Sequence, residues 1–222
     1  MFVGHYSVSF AARRGPVELP LWVWFVAVQW MDFVFMTLAL TGVEKVRLVP
    51  GFTQSNNLDL YYMPYSHGLV GSIVISAIFA GLVAAVFPSA RSAQGFGLVA
   101  LASFSHWLLD LVVHTRDLPI LNGEPKVGFG LWNHLAISLP LELVLLVLGA
   151  WFYTRGADRT ATMRTWVLVG VMVLLQLYSN FGTGPATPAQ FALTALALYI
   201  FLTLGAYWVE RAPKRAATTA PA

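Results

Sequence analysis

The chain has 222 residues, 58% of them apolar and only 10% Asp, Glu, Lys or Arg, where a soluble domain carries roughly 25% charged residues; its mean hydropathy is +0.69. So few charges cannot cover a water-facing surface, so most of the chain must face lipid, which excludes a disordered chain, a collagen, a coiled coil and a secreted disulfide scaffold. There is no cysteine, so a metal site would have to use His and carboxylates, and a net charge of +3 is too small to argue for nucleic acid as a partner.

Residues 2–12, FVGHYSVSFAA, are apolar but too short to span, and predict a half-helix or an interfacial helix. Arg13 and Arg14 follow this stretch instead of preceding it, so it does not read as a secretory signal. A membrane helix needs about 20 mostly apolar residues. Six segments meet that requirement, at 21–43, 68–88, 93–113, 131–153, 164–182 and 190–210. The first holds a single formal charge, Asp32. The second begins GLVGSIVISAIFAG, whose small residues let helices approach closely. Pro140 lies inside the fourth and predicts a kink. The expected fold is all-α: a polytopic membrane bundle of about six transmembrane helices plus the N-terminal half-helix. Residues 1–210 form one domain in this reading, and the Ala/Thr/Pro-rich segment 211–222 is expected to be a disordered cytoplasmic tail.

Basic residues between spans orient such a bundle. Nine lie at the end that carries both termini and four at the other, which predicts both termini in the cytoplasm of a bacterial-type inner (plasma) membrane. The long loops 44–67 and 114–130 then lie outside, with Tyr61, Tyr62 and Tyr65 in an aromatic belt.

Charged groups inside a bilayer are costly and mark function. Asp32 is mid-span, His67 opens the second span, and His106 and Asp110 lie in the third. His114 and Asp117 follow that span, Glu142 lies in the fourth, and His5 sits on the half-helix. In Ser105-His106-Trp107-Leu108-Leu109-Asp110 the imidazole and carboxylate are four residues apart, on one helical face, and so placed to grip one cation. His114 shares that stripe, but eight residues rise about 12 Å, so it is expected not to share an ion with His106. A second metal, general acid–base work or contact with an anionic substrate are its readings. Helical rise puts Asp32 and His106 at similar depth, with His67 and Asp110 nearer the outer face. His5 reaches them only if the half-helix dips into the bundle. Metal ligands are therefore expected among His5, Asp32, His67, His106 and Asp110. His114 and Glu142 are the candidates for handling protons, Glu142 alternatively for orienting a ligand imidazole. His134, Asn133, Gln176 and Asn180 read as structural polars.

In these residues the chain resembles the YdjM-like membrane-bound metal-dependent hydrolases, a LexA-binding, inner-membrane-associated family. The resemblance rests on Gly4-His5, on Asp32 in the first apolar segment, on Tyr65-Ser66-His67 opening the second, and on the helical SHWLLD of residues 105–110. It covers residues 1 to about 135. The family's fuller His-containing turn is reduced here to one His after Met63-Pro64-Tyr65. The resemblance implies metal-dependent hydrolysis. The expected function is cleavage of an ester or phosphoester bond, in a lipid-like or small amphipathic substrate, by water activated on a divalent metal. Zinc suits the ligands, with manganese or iron as alternatives. The competing readings are a proton or divalent-cation transporter and a non-catalytic membrane scaffold.

Overall fold

The computed structural model describes residues 1–211; the segment beyond Arg211, where the sequence predicts disorder, lies outside the described residues. A short 3-10 turn, Val3–His5, leads into α1 (Tyr6–Ala12). Six long helices follow: α2 (Leu21–Leu40), α3 (Leu69–Val86), α4 (Ala93–Val113), α5 (Leu135–Thr154), α6 (Arg159–Phe181) and α7 (Pro188–Glu210). All six are long and apolar enough to cross a membrane, and the chain is a multi-pass helical bundle.

The burial pattern shows which solvent the bundle is built for. On α3 the buried side is Ser72, Ser76, Phe79, Ala80 and Val83, while Ile73, Val74, Ile78 and Leu82 are exposed. On α5, Ser138, Glu142 and Gly149 face inward and Ile137, Val144, Leu148 and Trp151 outward. On these two helices small and polar residues are gathered on the buried side while the exposed side is large and apolar, a pattern suited to helix association in lipid.

Helix ends follow local chemistry. The first span stops at Leu40, short of the predicted 43, because Gly42 takes a left-handed φ of 76°. Its amide bonds the Ala39 carbonyl and the Val43 amide bonds that of Leu38, closing the helix in a Schellman arrangement. Helix α6 begins at Arg159 instead of 164, because Asp158 accepts from the Thr160 and Ala161 amides. Helix α5 starts at Leu135, after a 3-10 turn over 131–133, and runs unbroken through Pro140.

Two segments with no predicted structure form antiparallel hairpins at the same end of the bundle. One pairs β1 (Lys45–Leu48) with β2 (Leu58–Tyr62). The other pairs β3 (Leu118–Leu121) with β4 (Glu124–Val127) across Asn122-Gly123, both at positive φ, the turn that matches strand twist. They roof the bundle, with Val46, Leu60, Met63, Leu118 and Trp132 packed onto Phe35, Met36, Val113 and Tyr199.

Residues 1–12 enter the bundle from the opposite end. Helix α1 packs against α5 and α2, and Gly149 makes the approach to α5 possible: a Cβ there would meet the Ser7 carbonyl oxygen at 2.6 Å. The N-terminal turn is thereby carried deep into the core, and His5 is fully buried.

Candidate metal centre

Four elements bring imidazoles and carboxylates to one place beneath the hairpins. Helix α2 supplies Asp32; α4 supplies His106 and Asp110 on one face; His67 stands just before α3; and the buried N-terminal turn supplies His5. The Nε2 atom of His106 lies 3.1 Å from Asp110 Oδ2 and 3.6 Å from Asp32 Oδ1. That of His67 lies 3.4 Å from Asp32 Oδ1 and 3.6 Å from Asp110 Oδ2. His5 Nε2 is 3.1 Å from the other Asp110 oxygen, Oδ1, and its ring stacks on that of His106 with centroids 3.7 Å apart. One ligand atom from each of His5, His106 and Asp110 falls within a 4.8 Å group, and so does one from each of Asp32, His67 and His106.

His114 stands nearer than its sequence spacing implies. Its Nε2 is 3.5 Å from Asp110 Oδ2, the oxygen that also faces His106. Helix α4 ends at Val113 and His114 adopts an extended backbone, φ −62° and ψ 148°. From there its ring reaches Asp110 one turn back, so the axial rise between His114 and His106 does not separate their rings from this carboxylate.

The partners on the far side of each ring fix its tautomer. His106 Nδ1 is 2.6 Å from the Val28 carbonyl oxygen, which can only accept, so Nδ1 carries the proton. His114 Nδ1 is 2.9 Å from Asp117 Oδ1, which likewise accepts. His67 Nδ1 is 2.8 Å from Ser66 Oγ. The Nε2 atoms of His106 and His114 therefore point toward carboxylate oxygens, and the buried His106 Nε2 has no hydrogen-bond partner. An imidazole nitrogen facing a carboxylate needs positive charge between them, supplied by a ring proton or by a bound cation. Asp110 Oδ1 is paired with the buried Met1 ammonium, and among the described residues no Lys or Arg side chain pairs with Asp32 or Asp110. The field is felt outside the spans as well. Burial works against a charge on His114, yet Asp117 and Asp110 outweigh it and raise its pKa. At His5 burial prevails, helped by His106, and lowers the pKa to about 3, leaving a neutral ring.

Further residues hold the centre. Tyr199 on α7 donates to Asp32 Oδ2 at 2.8 Å, and Gln29 Nε2 donates to the same oxygen at 2.8 Å, leaving Oδ1 free to face the imidazoles. The Met1 amino group donates to Asp110 Oδ1 at 2.5 Å. Glu142 makes no ion pair or hydrogen bond to the cluster; its Oε2 accepts the backbone N–H groups of Phe2 at 2.7 Å and Gly4 at 3.4 Å. Together with Gln176, which accepts from Val3 at 3.3 Å, it seats the turn that carries His5. His134 is exposed and makes no ion pair with the centre's carboxylates. Tyr199 gives no sequence signal, being one tyrosine in an apolar run; Asp117 is visible only as a carboxylate three residues after His114.

The donor set is N/O, with two carboxylates and imidazoles whose unprotonated nitrogens converge, and it suits a divalent cation such as zinc. In a tetrahedral zinc site with bonds of about 2.0–2.2 Å, neighbouring ligand atoms lie about 3.3–3.6 Å apart. Four of the six edges among Asp32, His67, His106 and Asp110 measure 3.1 to 3.6 Å, at or just below that range, and the sets that close within 4.8 Å are the three-residue groups given above. No family model, curated protein or solved structure matches the chain.

Proposed function

We propose that this chain is a membrane-embedded, metal-dependent hydrolase, with Asp32 Oδ1, His67 Nε2, His106 Nε2 and Asp110 Oδ2 as the cation's ligands. The observation that carries the reading is the buried His106 Nε2, unpartnered and set against both carboxylates at coordination-edge distances. His5 bonds the second oxygen of Asp110 and so orients the first, although it is also placed to join the ligands. A divalent cation held there supplies Lewis acidity and an acidified water. The protein's own groups do the rest. His114, with Nδ1 bonded to Asp117, turns Nε2 inward as a proton acceptor, its orientation set by a carboxylate as in other His bases. Tyr199 and Gln29 keep Asp32 from rotating, and Glu142 seats the turn that bears His5.

The substrate we propose is an ester or phosphoester of lipid-like character. The centre lies partway along the spans under a roof of hairpins, and of its carboxylates Asp32, on α2, is the more exposed. The charge asymmetry supports a bacterial-type plasma membrane with the hairpins outside and both termini in the cytoplasm. A through-going cation path is the weaker reading. Below Gln29 and the Ser76–Ser103 pair the interior is built from Val23, Trp24, Phe79, Val83 and Val99, with the Ser9 hydroxyl there tied to the Trp24 carbonyl, which favours a closed end. The test is hydrolysis by the purified protein in phospholipid micelles, assayed on p-nitrophenyl esters, bis-p-nitrophenyl phosphate and the phospholipids themselves. Turnover abolished by chelation and restored by zinc supports the reading. Zinc-loaded protein that cleaves none of these classes, or zinc-dependent flux through proteoliposomes, overturns it.

A further inference from the structure

We infer that Glu44, in the turn between α2 and the first hairpin, is a positioning residue that sets the tautomer of His67 through the Ser66 hydroxyl. Glu44 is a carboxylate only 1% exposed, and its contacts all lead to one place. Its Oε1 accepts the backbone N–H groups of Tyr65 at 2.8 Å and Ser66 at 2.9 Å. Its Oε2 accepts the Ser66 hydroxyl at 2.5 Å. A serine hydroxyl has one proton to give, and here the carboxylate takes it. What Ser66 Oγ turns toward His67 Nδ1, 2.8 Å away, is therefore a lone pair. His67 Nδ1 must carry the proton of that bond, and in the neutral ring Nε2 is left bare on the side of Asp32 and Asp110. The same outcome is reached at His106 by a backbone carbonyl and at His114 by Asp117. His67 alone depends on a hydroxyl, which could serve equally as donor, and Glu44 removes that ambiguity.

An isosteric substitution at Glu44 is therefore damaging. In Glu44→Gln the amide oxygen takes the Oε1 place, where two backbone N–H groups need an acceptor. The amide nitrogen then faces Ser66 Oγ and donates to it. The hydroxyl proton is turned onto His67 Nδ1, and the ring proton moves to Nε2, where no cation can be ligated. Carboxylates behind a ligand imidazole typically matter about 10–100-fold in metal affinity, and that is the loss expected.

The consequence for affinity rests on the proposed cation centre; the tautomer does not, so the experiment reads both. Protein labelled with 15N-histidine in detergent micelles, with chelator present and His67 assigned by its loss in His67→Gln, reports whether Nδ1 bears a proton. Wild type should show Nδ1 protonated and Glu44→Gln should show it bare. Zinc affinity should fall at least tenfold in Glu44→Gln, fall in Ser66→Ala, and stay at the wild-type level in Ser66→Thr, which keeps the hydroxyl. A protonated Nδ1 in Glu44→Gln overturns the inference even if zinc binds. If Glu44→Gln does not fold, equal zinc affinity in Ser66→Ala and wild type overturns it. A tautomer that switches as described in a protein that binds no zinc upholds the role of Glu44 and removes the cation centre instead.

Discussion

The Tyr199 hydroxyl, on α7, donates to Asp32 Oδ2, on α2, at 2.8 Å, across 167 residues of sequence. The bond ties the last helix to the candidate centre and restrains the one carboxylate there that has more than slight exposure. Tyr199→Phe removes it while keeping the ring, which also packs on Phe33 at 5.5 Å. Zinc affinity, measured by competition with an indicator dye, should fall about tenfold, at the lower end for such supporting contacts. Gln29 still holds Asp32 in that variant, so complete loss of binding would assign Tyr199 a larger part than orientation.

Glu142 separates two roles by the choice of substitution. Its Oε2 alone accepts the Phe2 and Gly4 amides; Glu142→Gln can place its carbonyl oxygen there, whereas Glu142→Ala cannot. Each buried amide left without an acceptor costs about 1–3 kcal/mol. Hydrogen exchange at residues 2–5 should accelerate in Glu142→Ala and stay near wild type in Glu142→Gln. If Glu142 also transfers protons, Glu142→Gln should lose turnover while keeping slow exchange.

Gly149 sets how closely α1 lies on α5. A side chain there meets the Ser7 backbone at 2.6 Å, and backbone cannot swing aside. Gly149→Val should push residues 1–12 out of the bundle, seen as faster exchange and new protease cleavage near Arg13 and Arg14. The six long helices should stay folded. Unchanged protection of Phe10 and Tyr6 would show that α1 is held by something other than this approach.

Ser76 Oγ donates to Ser103 Oγ at 3.1 Å, joining α3 to α4 in the buried seam below the centre. Interhelical side-chain bonds in membranes average about 0.6 kcal/mol in double-mutant cycles. The cycle of Ser76→Ala and Ser103→Ala should return a coupling of that order, with no change in zinc affinity. A coupling near zero would mean the pair is carried by the packing around it.

The sequence held much of the fold, because a membrane span is a composition signal, long and nearly free of charge. Helix ends were less legible: α2 stops where Gly42 turns left-handed and α6 starts where Asp158 caps it, both single residues within longer apolar or mixed runs. The hairpin over 118–127 carried its own sign in Asn122-Gly123, masked by a loop that looks charged and irregular. At the candidate centre the spacing of His106 and Asp110 spoke for one helix face, while the approach of Asp32, His67 and His5 rested on depth arithmetic alone. Rise per residue places backbone, so it leaves unseen that the His114 ring, just past the end of α4, reaches back to Asp110. Tyr199, Glu44 and Ser66 were beyond reach of sequence, since nothing in their neighbours distinguishes a hydroxyl or carboxylate that meets the centre from one that caps a turn.

Whether the buried His and Asp residues hold a cation is read by elemental analysis of bound metal in protein purified without added chelator, comparing wild type with His106→Ala and Asp110→Ala. Near-stoichiometric zinc, or manganese or iron in its place, is expected in wild type and little in either variant, with all three proteins still helical. Wild-type protein free of divalent metal even after incubation with zinc, or equal metal in all three, would contradict it.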